Sequence, residues 1–390
     1  MNNAPNAMIS WNENGEEKSA RWRSENGTPP PKRTILADDR ITADAAYRMA
    51  CEGTALLWRG NFQNARQLLQ AMSRRADSRR KKSGDKPAPA TTPKQAFHLY
   101  RQAQSQRART LGMLLLPFDA DHHIPLRRAP DVREASLEAY GDEGAASVPY
   151  VMSLRSLLGI IGAHEWHKKG VEIPALHARI FPDYGTFSPI RGEYVDMVAQ
   201  APLPPALVTQ SVAFDIGTGT GVLAAVLAKR GIRRIVATDQ DSRAINCASK
   251  NLSRLGFDSQ VEVALADLFP EGRAALVVCN PPWLPARPSS QLEYAVFDPD
   301  SSMLKGFLRG LAEHLERSGE GWLILSDLAE HLGLRSRTEL LGWINEAGLT
   351  VAGRMDVKPT HPRSADASDP LHAERAAEVT SLWRLQSRQP

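Results

Sequence analysis

The stretch VAFDIGTGTG, residues 212–221, runs an apolar strand directly into a loop with glycine at 217, 219 and 221, and the helix-forming VLAAVLAKR follows at once. Glycines at alternate positions let the backbone turn sharply and approach a ligand where any Cβ would clash. Asp239 closes the next apolar run, RIVATD, 20 residues beyond Gly219, where a carboxylate can accept hydrogen bonds from ribose hydroxyls. By itself this pairing leaves open a dinucleotide or another adenosine-bearing cofactor. The G-x-G-x-G spacing, without G-x-G-x-x-G, disfavours a pyrophosphate cradle. Outward from the loop the alternation continues through AINCASKNLSRLG, VEVALAD, ALVVCN and WLILS. A helix over 339–346 and closing strands at 351–357 and 379–385 complete it, with a polar loop over 359–377. Short apolar runs alternating with helical stretches predict an α/β fold with a parallel sheet covered by helices.

Val277-Val278-Cys279-Asn280-Pro281-Pro282-Trp283 carries the chemistry. An apolar strand runs into an amide, two prolines that fix φ, and an aromatic, at the sheet edge where open α/β folds bind ligands. Amino and carboxamide nitrogens are poor nucleophiles because their lone pair is delocalised. Hydrogen bonds from such an NH2 to the Asn280 side-chain oxygen and the Pro281 carbonyl favour a pyramidal nitrogen. Trp283 can stack on the flat group and hold it in line with an electrophilic methyl. At the end of VEVALAD, Asp267 can accept an adenine amino group, with Leu268 or Phe269 flanking the ring. Cys279 lies in an apolar strand and is expected to be a buried thiol, not a nucleophile.

Together, DIGTGTG, Asp239, Asp267 and NPPW resemble the S-adenosylmethionine-dependent N-methyltransferases with a seven-stranded, Rossmann-like sheet. Within them the pattern is similar to the "small domain" enzymes, which include ribosomal RNA guanine and adenine N-methyltransferases and release-factor glutamine methyltransferases. The resemblance covers about residues 184–385. It implies S-adenosyl-L-methionine as cofactor, bound by Asp215, Gly217, Thr218, Gly219, Gly221, Asp239, Asp267 and Asn280. The glycines would line its methionine part, Asp239 its ribose and Asp267 its adenine. Asn280, Pro281, Pro282 and Trp283 would form the catalytic loop. Upstream, FSPIRGE at 187–193 is loosely similar to the P-R-P-E-T-E segment of the glutamine enzymes, and Trp283 stands where those enzymes typically carry tyrosine.

The first half is read as a disordered arm (1–35), a helical hairpin (36–72), a basic flexible linker (73–94) and a mainly helical accessory or substrate region (95–183), with the methyltransferase domain at 184–390. Thr42 is expected to cap a helix from Ala43 whose apolar face includes Ala46, Met49, Ala50 and Leu57, with Gly60-Asn61 as its break. Helices are also expected over 97–116 and 152–168, with Trp58 and Trp166 in the core and His122-His123 in a surface loop. Net charge is +4, yet residues 59–109 carry thirteen Lys or Arg against Asp77 and Asp85, a net +11 on a chain whose remainder is −7. Such a segment, including Arg74, Arg75, Arg79, Arg80, Lys81 and Lys82, suits a polyanion such as RNA through counterion release, or serves as a solvated linker. With 42% hydrophobic and 24% charged residues the 390-residue chain can bury a core. Three scattered cysteines argue against a disulfide scaffold or structural zinc. The longest apolar runs fall far short of the ~20 residues of a membrane span, and the N-terminus lacks signal-peptide character, so a cytoplasmic protein without membrane or metal is expected. The acceptor reading favoured is a base in RNA. A protein glutamine amide is the alternative, and a non-catalytic Rossmann-like binding protein is the third. Nothing in the sequence sets an oligomeric state.

Overall fold

The computed structural model describes residues 7–24, 27–82, 92–141, 144, 147–189, 192–288, 292–359 and 369–388. The chain forms two compact units, one of Met1–Ala90 with His98–Glu165 and one of Thr91–Phe97 with Trp166–Pro390. Among the described residues no helix is long and apolar enough to cross a membrane.

The first unit is built on a sheet, where arm and helices were expected. Its strands are β1 (Met8–Glu13), β2 (Glu16–Trp22), β3 (Arg33–Ala37), β4 (Thr54–Trp58), β5 (Leu114–Phe118) and β6 (Tyr150–Ser153), in the order β1-β2-β6-β5-β4-β3. Between them run α1 (Ala43–Cys51), α2 (Phe62–Lys82), α3 (Pro93–Leu111) and α4 (Arg133–Tyr140), and α5 (Leu154–Lys169) follows β6. The β1–β2 hairpin turns on Asn14 and Gly15, both at positive φ (57° and 86°), the two-residue turn that Asn-Gly favours. Thr42 caps α1 as expected, accepting from the Ala45 amide at 3.3 Å. The helix stops at Cys51, however, and Leu57 belongs to β4, whose five residues are all buried. Likewise the apolar runs at 114–118 and 150–153 are strands beside helices, not their continuations. Runs of four or five buried apolar residues carry no period that separates strand from helix. His122 is buried, its Nδ1 3.1 Å from the Tyr150 hydroxyl, while His123 faces Asp119 in the exposed position expected. Trp58 is core, whereas Trp166, on the second unit's part of α5, is half exposed. The expected linker is helical as far as Lys82, the side chains of residues 78–82 and the whole of 83–91 lying outside the described residues.

The second unit begins at Trp166, ahead of the expected boundary at 184, because the ribbon of β7 (Val171–Ile173) and β8 (Ala178–Ile180) packs Ile173 and Ile180 into its core. Then come α6 (Glu193–Gln200), α7 (Ala206–Thr209), β9 (Val212–Ile216), α8 (Val222–Lys229), β10 (Arg234–Asp239), α9 (Ser242–Arg254), β11 (Val261–Leu265) and β12 (Ala274–Cys279). The rest is α10 (Ser302–His314), β13 (Leu315–Ser326), α11 (Leu328–His331), α12 (Arg337–Glu346), β14 (Leu349–Val357), α13 (His372–Ala377) and β15 (Thr380–Ser387). The expected loop thus carries α13, while residues 360–368 lie outside the described set. The seven strands run β11-β10-β9-β12-β13-β15-β14, with β15 antiparallel to both neighbours and the first five mutually parallel. This is the seven-stranded α/β sheet expected of the C-terminal half. Alternate side chains serve opposite faces: Ala213, Leu276, Val278, Trp322 and Ile324 pack with α6 and α8, while Phe214, Val277, Cys279, Leu323 and Leu325 pack with α10 and α12. Helix α8 is buried at every position from Val222 to Ala228, as an all-apolar helix requires.

Strand order reverses at β9, with β10 on one side and β12 on the other. Ligands of open parallel sheets bind at such a switch point, beyond the carboxyl ends of the strands. Register puts Ile216 level with Thr238 and Cys279, so the glycine loop, Asp239 and Asn280 all leave the sheet along one edge.

Candidate functional site

The loop after β9 is held from below. The Gly217 and Thr218 amides donate to the Thr238 carbonyl at 2.9 and 2.8 Å, tying the loop to β10. Asp215, 1% exposed, accepts from the Thr218 hydroxyl at 2.7 Å and from the Ala224 amide at 3.0 Å on its Oδ2. Burial pushes its carboxyl up to about 6 in spite of those bonds. Asp215 and Thr218, expected among the cofactor contacts, are thus placed beneath the loop as its brace, their side chains turned to each other. Open space lies at the middle of the three glycines. Gly217, Gly219 and Gly221 all adopt positive φ, and a Cβ at Gly219 would meet nothing within 4 Å. At Gly217 a Cβ would lie 2.7 Å from the Met303 methyl, so α10 approaches the loop closely there.

Asp239 ends β10 with one oxygen accepting from the Gly219 amide at 3.1 Å and the other from the Asp241 amide at 3.0 Å. The Gln240 amide acts on the same carboxylate, whose roughly four acceptor sites leave it capacity beyond these backbone donors. Burial pushes this carboxyl up as well. Asp267 is exposed just beyond β11. Leu268 beside it holds φ at +69°, a strained setting for a leucine. Phe269 is not free to flank a ligand: it stacks on Phe307 and His314, with centroids 5.7 and 4.3 Å away. Cys279 is fully buried as expected, its thiol pushed up by burial and further by Asp215, Asp298 and Asp239.

Beyond β12, Asn280 and Trp283 meet directly, the indole Nε1–H donating to Asn280 Oδ1 at 2.9 Å. The ring, expected to stack on the flat acceptor group, packs partly buried against both hydrophobic clusters of the sheet. After Trp283 the chain pairs with its own return: Leu284 bridges Phe297, and the Asp298 amide donates to the Leu284 carbonyl at 2.8 Å. Asp298, 4% exposed, then accepts from the Ser302 hydroxyl (2.8 Å) and from the Met303 (3.0 Å) and Leu304 (3.1 Å) amides, fixing the start of α10. Asp300 and Ser301 both hold positive φ at this corner. Phe97 packs on Phe297 from the other side, at 6.5 Å between centroids.

Two residues absent from the sequence reading organise the site. Asp298 ties the Asn280 loop to α10. Asn251, 1% exposed on α9, donates to the Phe181 and Thr220 carbonyls, both at 3.1 Å, and accepts from the Phe181 amide at 2.9 Å. It thereby binds the segment before 187–193 to the glycine loop; of FSPIRGE itself, Ile190 and Arg191 lie outside the described residues. The advance signal for Asn251 was a polar residue at a position of α9 that the helical pattern wants apolar, and Asp298 had none.

Residues 195–337 match the family model of the methyltransferase small domain. The chain is 31% identical over 160 residues to release factor glutamine methyltransferase of Cereibacter sphaeroides, covering 37% of this chain and 54% of that protein. It is 32% identical over 134 residues to tRNA1(Val) (adenine(37)-N6)-methyltransferase of Pedobacter heparinus, covering 31% and 57%. To ribosomal protein L11 methyltransferase of Pelotomaculum thermopropionicum it is 45% identical over 69 residues, covering 17% and 22%. The chain thus spans about half, or less, of the length of these relatives. The resemblance read from DIGTGTG and NPPW holds over the matched segment, which contains both motifs and every expected site residue.

Proposed function

We propose that this chain, with a methyltransferase small domain at residues 195–337, is an S-adenosylmethionine-dependent N-methyltransferase whose acceptor is a planar NH2 group of a base in RNA. The observation that carries this reading is the alignment of three features on one sheet edge: the glycine loop, the Asp239 carboxylate and the Asn280–Trp283 loop. The residues present fit the cofactor. Gly219 has open space where a Cβ would stand, Asp239 retains acceptor capacity for ribose hydroxyls, and the surrounding acids suit a positively charged group. When bound, S-adenosylmethionine supplies a methyl on an electrophilic sulfonium sulfur.

The chain's own work lies on the acceptor side. Asn280 Oδ1 and the Pro281 carbonyl accept from the acceptor NH2, drawing its lone pair out of conjugation. The two prolines keep that pair of acceptors rigid, so little reorganisation is needed in the transition state. With the cofactor bound, the nitrogen lone pair would form the bond to the methyl carbon as the methyl–sulfur bond breaks and its electron pair passes to sulfur, and the nitrogen would then lose a proton to water.

RNA is favoured over protein by the basic helices of the first unit and by the likeness to a tRNA adenine enzyme. Part of that basic charge is already paired, Arg75 with Asp44 at 2.6 Å and Arg107 with Asp77 at 3.0 Å, while Arg74 is exposed. The second reading, a glutamine amide in a protein, draws on the likeness to the release factor enzyme, since a carboxamide presents the same planar NH2. Labelled S-adenosylmethionine incubated with the protein and with separated RNA, DNA and protein from a strain lacking it decides. Label is expected in RNA. Label confined to protein would overturn the RNA reading and establish the second.

A further inference from the structure

Given that Asn280 accepts a hydrogen bond from the acceptor NH2, which is the reading above, its carboxamide must present oxygen and not nitrogen. The two ends of a carboxamide are nearly the same size, so packing alone discriminates between them poorly. A 180° rotation about the last side-chain bond would aim an N–H at the acceptor's own N–H. Something has to choose. An indole nitrogen can only donate. Trp283 Nε1–H lies 2.9 Å from Asn280 Oδ1, and the indole ring is held between the two hydrophobic clusters of the sheet.

We infer that Trp283 is a positioning residue whose indole N–H locks the Asn280 carboxamide in the orientation that presents oxygen to the acceptor. One lone pair of Oδ1 takes the indole proton and the other faces the NH2 group. The chemical contribution of the aromatic at 283 is then its N–H. A phenylalanine there keeps an aromatic face and loses the lock.

A carboxylate provides the decisive comparison, because its two oxygens are equivalent and it has no wrong orientation. Trp283→Phe is expected to lower kcat about tenfold or more when residue 280 is Asn, with KM changed less than about threefold. In the Asn280→Asp background the same Trp283→Phe change is expected to cost less than about threefold. A stacking platform predicts the opposite pattern: an effect mainly on KM, equal in the two backgrounds. Equal costs would overturn the inference. The cycle is measured on whichever fraction gains label, since bases and carboxamides present the same group, and thermal melts confirm that each variant is folded.

A second readout needs neither cofactor nor acceptor. In protein labelled with 15N-tryptophan, the Trp283 indole proton is identified by its loss in Trp283→Phe. It is expected to move upfield and to exchange at least about tenfold faster in Asn280→Ala, as a proton released from a partly buried hydrogen bond does. An unmoved resonance would overturn the inference. Label found only in protein would overturn the RNA reading and leave this one standing.

Discussion

A carboxylate sealed beneath the glycine loop is expensive, and the Thr218 hydroxyl and the first turn of α8 offset that cost by donating to Asp215. Its titration therefore has a definite sign. The folded-state value, about 6, lies above the ordinary 3.8, so the folded chain holds this proton more tightly than the unfolded chain. The stability of wild type relative to Asp215→Asn is expected to be greatest below about pH 4, to decline as pH rises through about 6, and then to level off. Melting curves of the two proteins from pH 4 to 8 measure it, and a gap that widens with pH would refute the assignment. Asp239 makes a different demand under the proposed function, in which its remaining acceptor capacity would serve the ligand. Asp239→Ala is expected to weaken S-adenosylmethionine binding by about 1.5–3 kcal/mol in calorimetry, the range for a hydrogen bond to a charged acceptor. Asn280→Ala should leave that affinity nearly unchanged and lower turnover about a hundredfold or more.

Among the elements, α10 is the one whose placement most directly shapes the site. Asp298 supplies both of its cap bonds while its own backbone amide holds Leu284, so a single residue couples the helix to the Asn280 loop. Asp298→Ala is expected to cost about 2 kcal/mol, the upper part of the range for losing a helix cap, and to lower turnover more than cofactor affinity. Asp298→Asn, which keeps an acceptor, should recover most of both in the same melts and assays. Nothing local announces this role, because the residues Asp298 organises lie on both sides of a turn of unusual backbone. Asn251 was hidden for a related reason: its partners Phe181 and Thr220 stand 70 and 31 residues away. The glycine loop and the Asn280 segment were legible because each motif is contiguous and sits where an apolar strand ends. The strands at 54–58, 114–118 and 150–153 were not, being four or five apolar residues that abut helices or short turns. The β1–β2 hairpin could have been found, for Asn14-Gly15 between MISWNE and EEKSARW is a strong two-residue turn signal that the polar composition obscured.

At the scale of the whole molecule, acid acts through single carboxyls within each of the two units, and in the first it acts with the sign opposite to that of Asp215. In the first, Glu13 takes both nitrogens of the Arg59 fork at 2.9 Å and the Trp11 indole at 3.1 Å, bonds that hold its carboxyl down to about 2. A lowered value contributes stability above the ordinary 4.5 that disappears as pH falls toward 2. Glu13→Gln should therefore destabilise this unit at pH 7 by about 1 kcal/mol, allowing for its partly exposed setting, and by progressively less below pH 4. Hydrogen exchange at β1 and β2 reads that difference locally. The second unit carries a consequence of another kind. Its fabric includes Thr91–Phe97, borrowed from between two stretches of the first unit, and Phe97 closes over Phe297, the partner of Leu284 just beyond the Asn280 loop. A cut at residue 166 would leave a whole sheet with an aromatic ring laid open beside its working edge. Such a domain cannot be passed between genes, or grafted by an engineer, as one unbroken cassette. Duplication or shuffling would have to carry the distant heptapeptide along, and recombination inside this chain is constrained at a place where no motif gives warning.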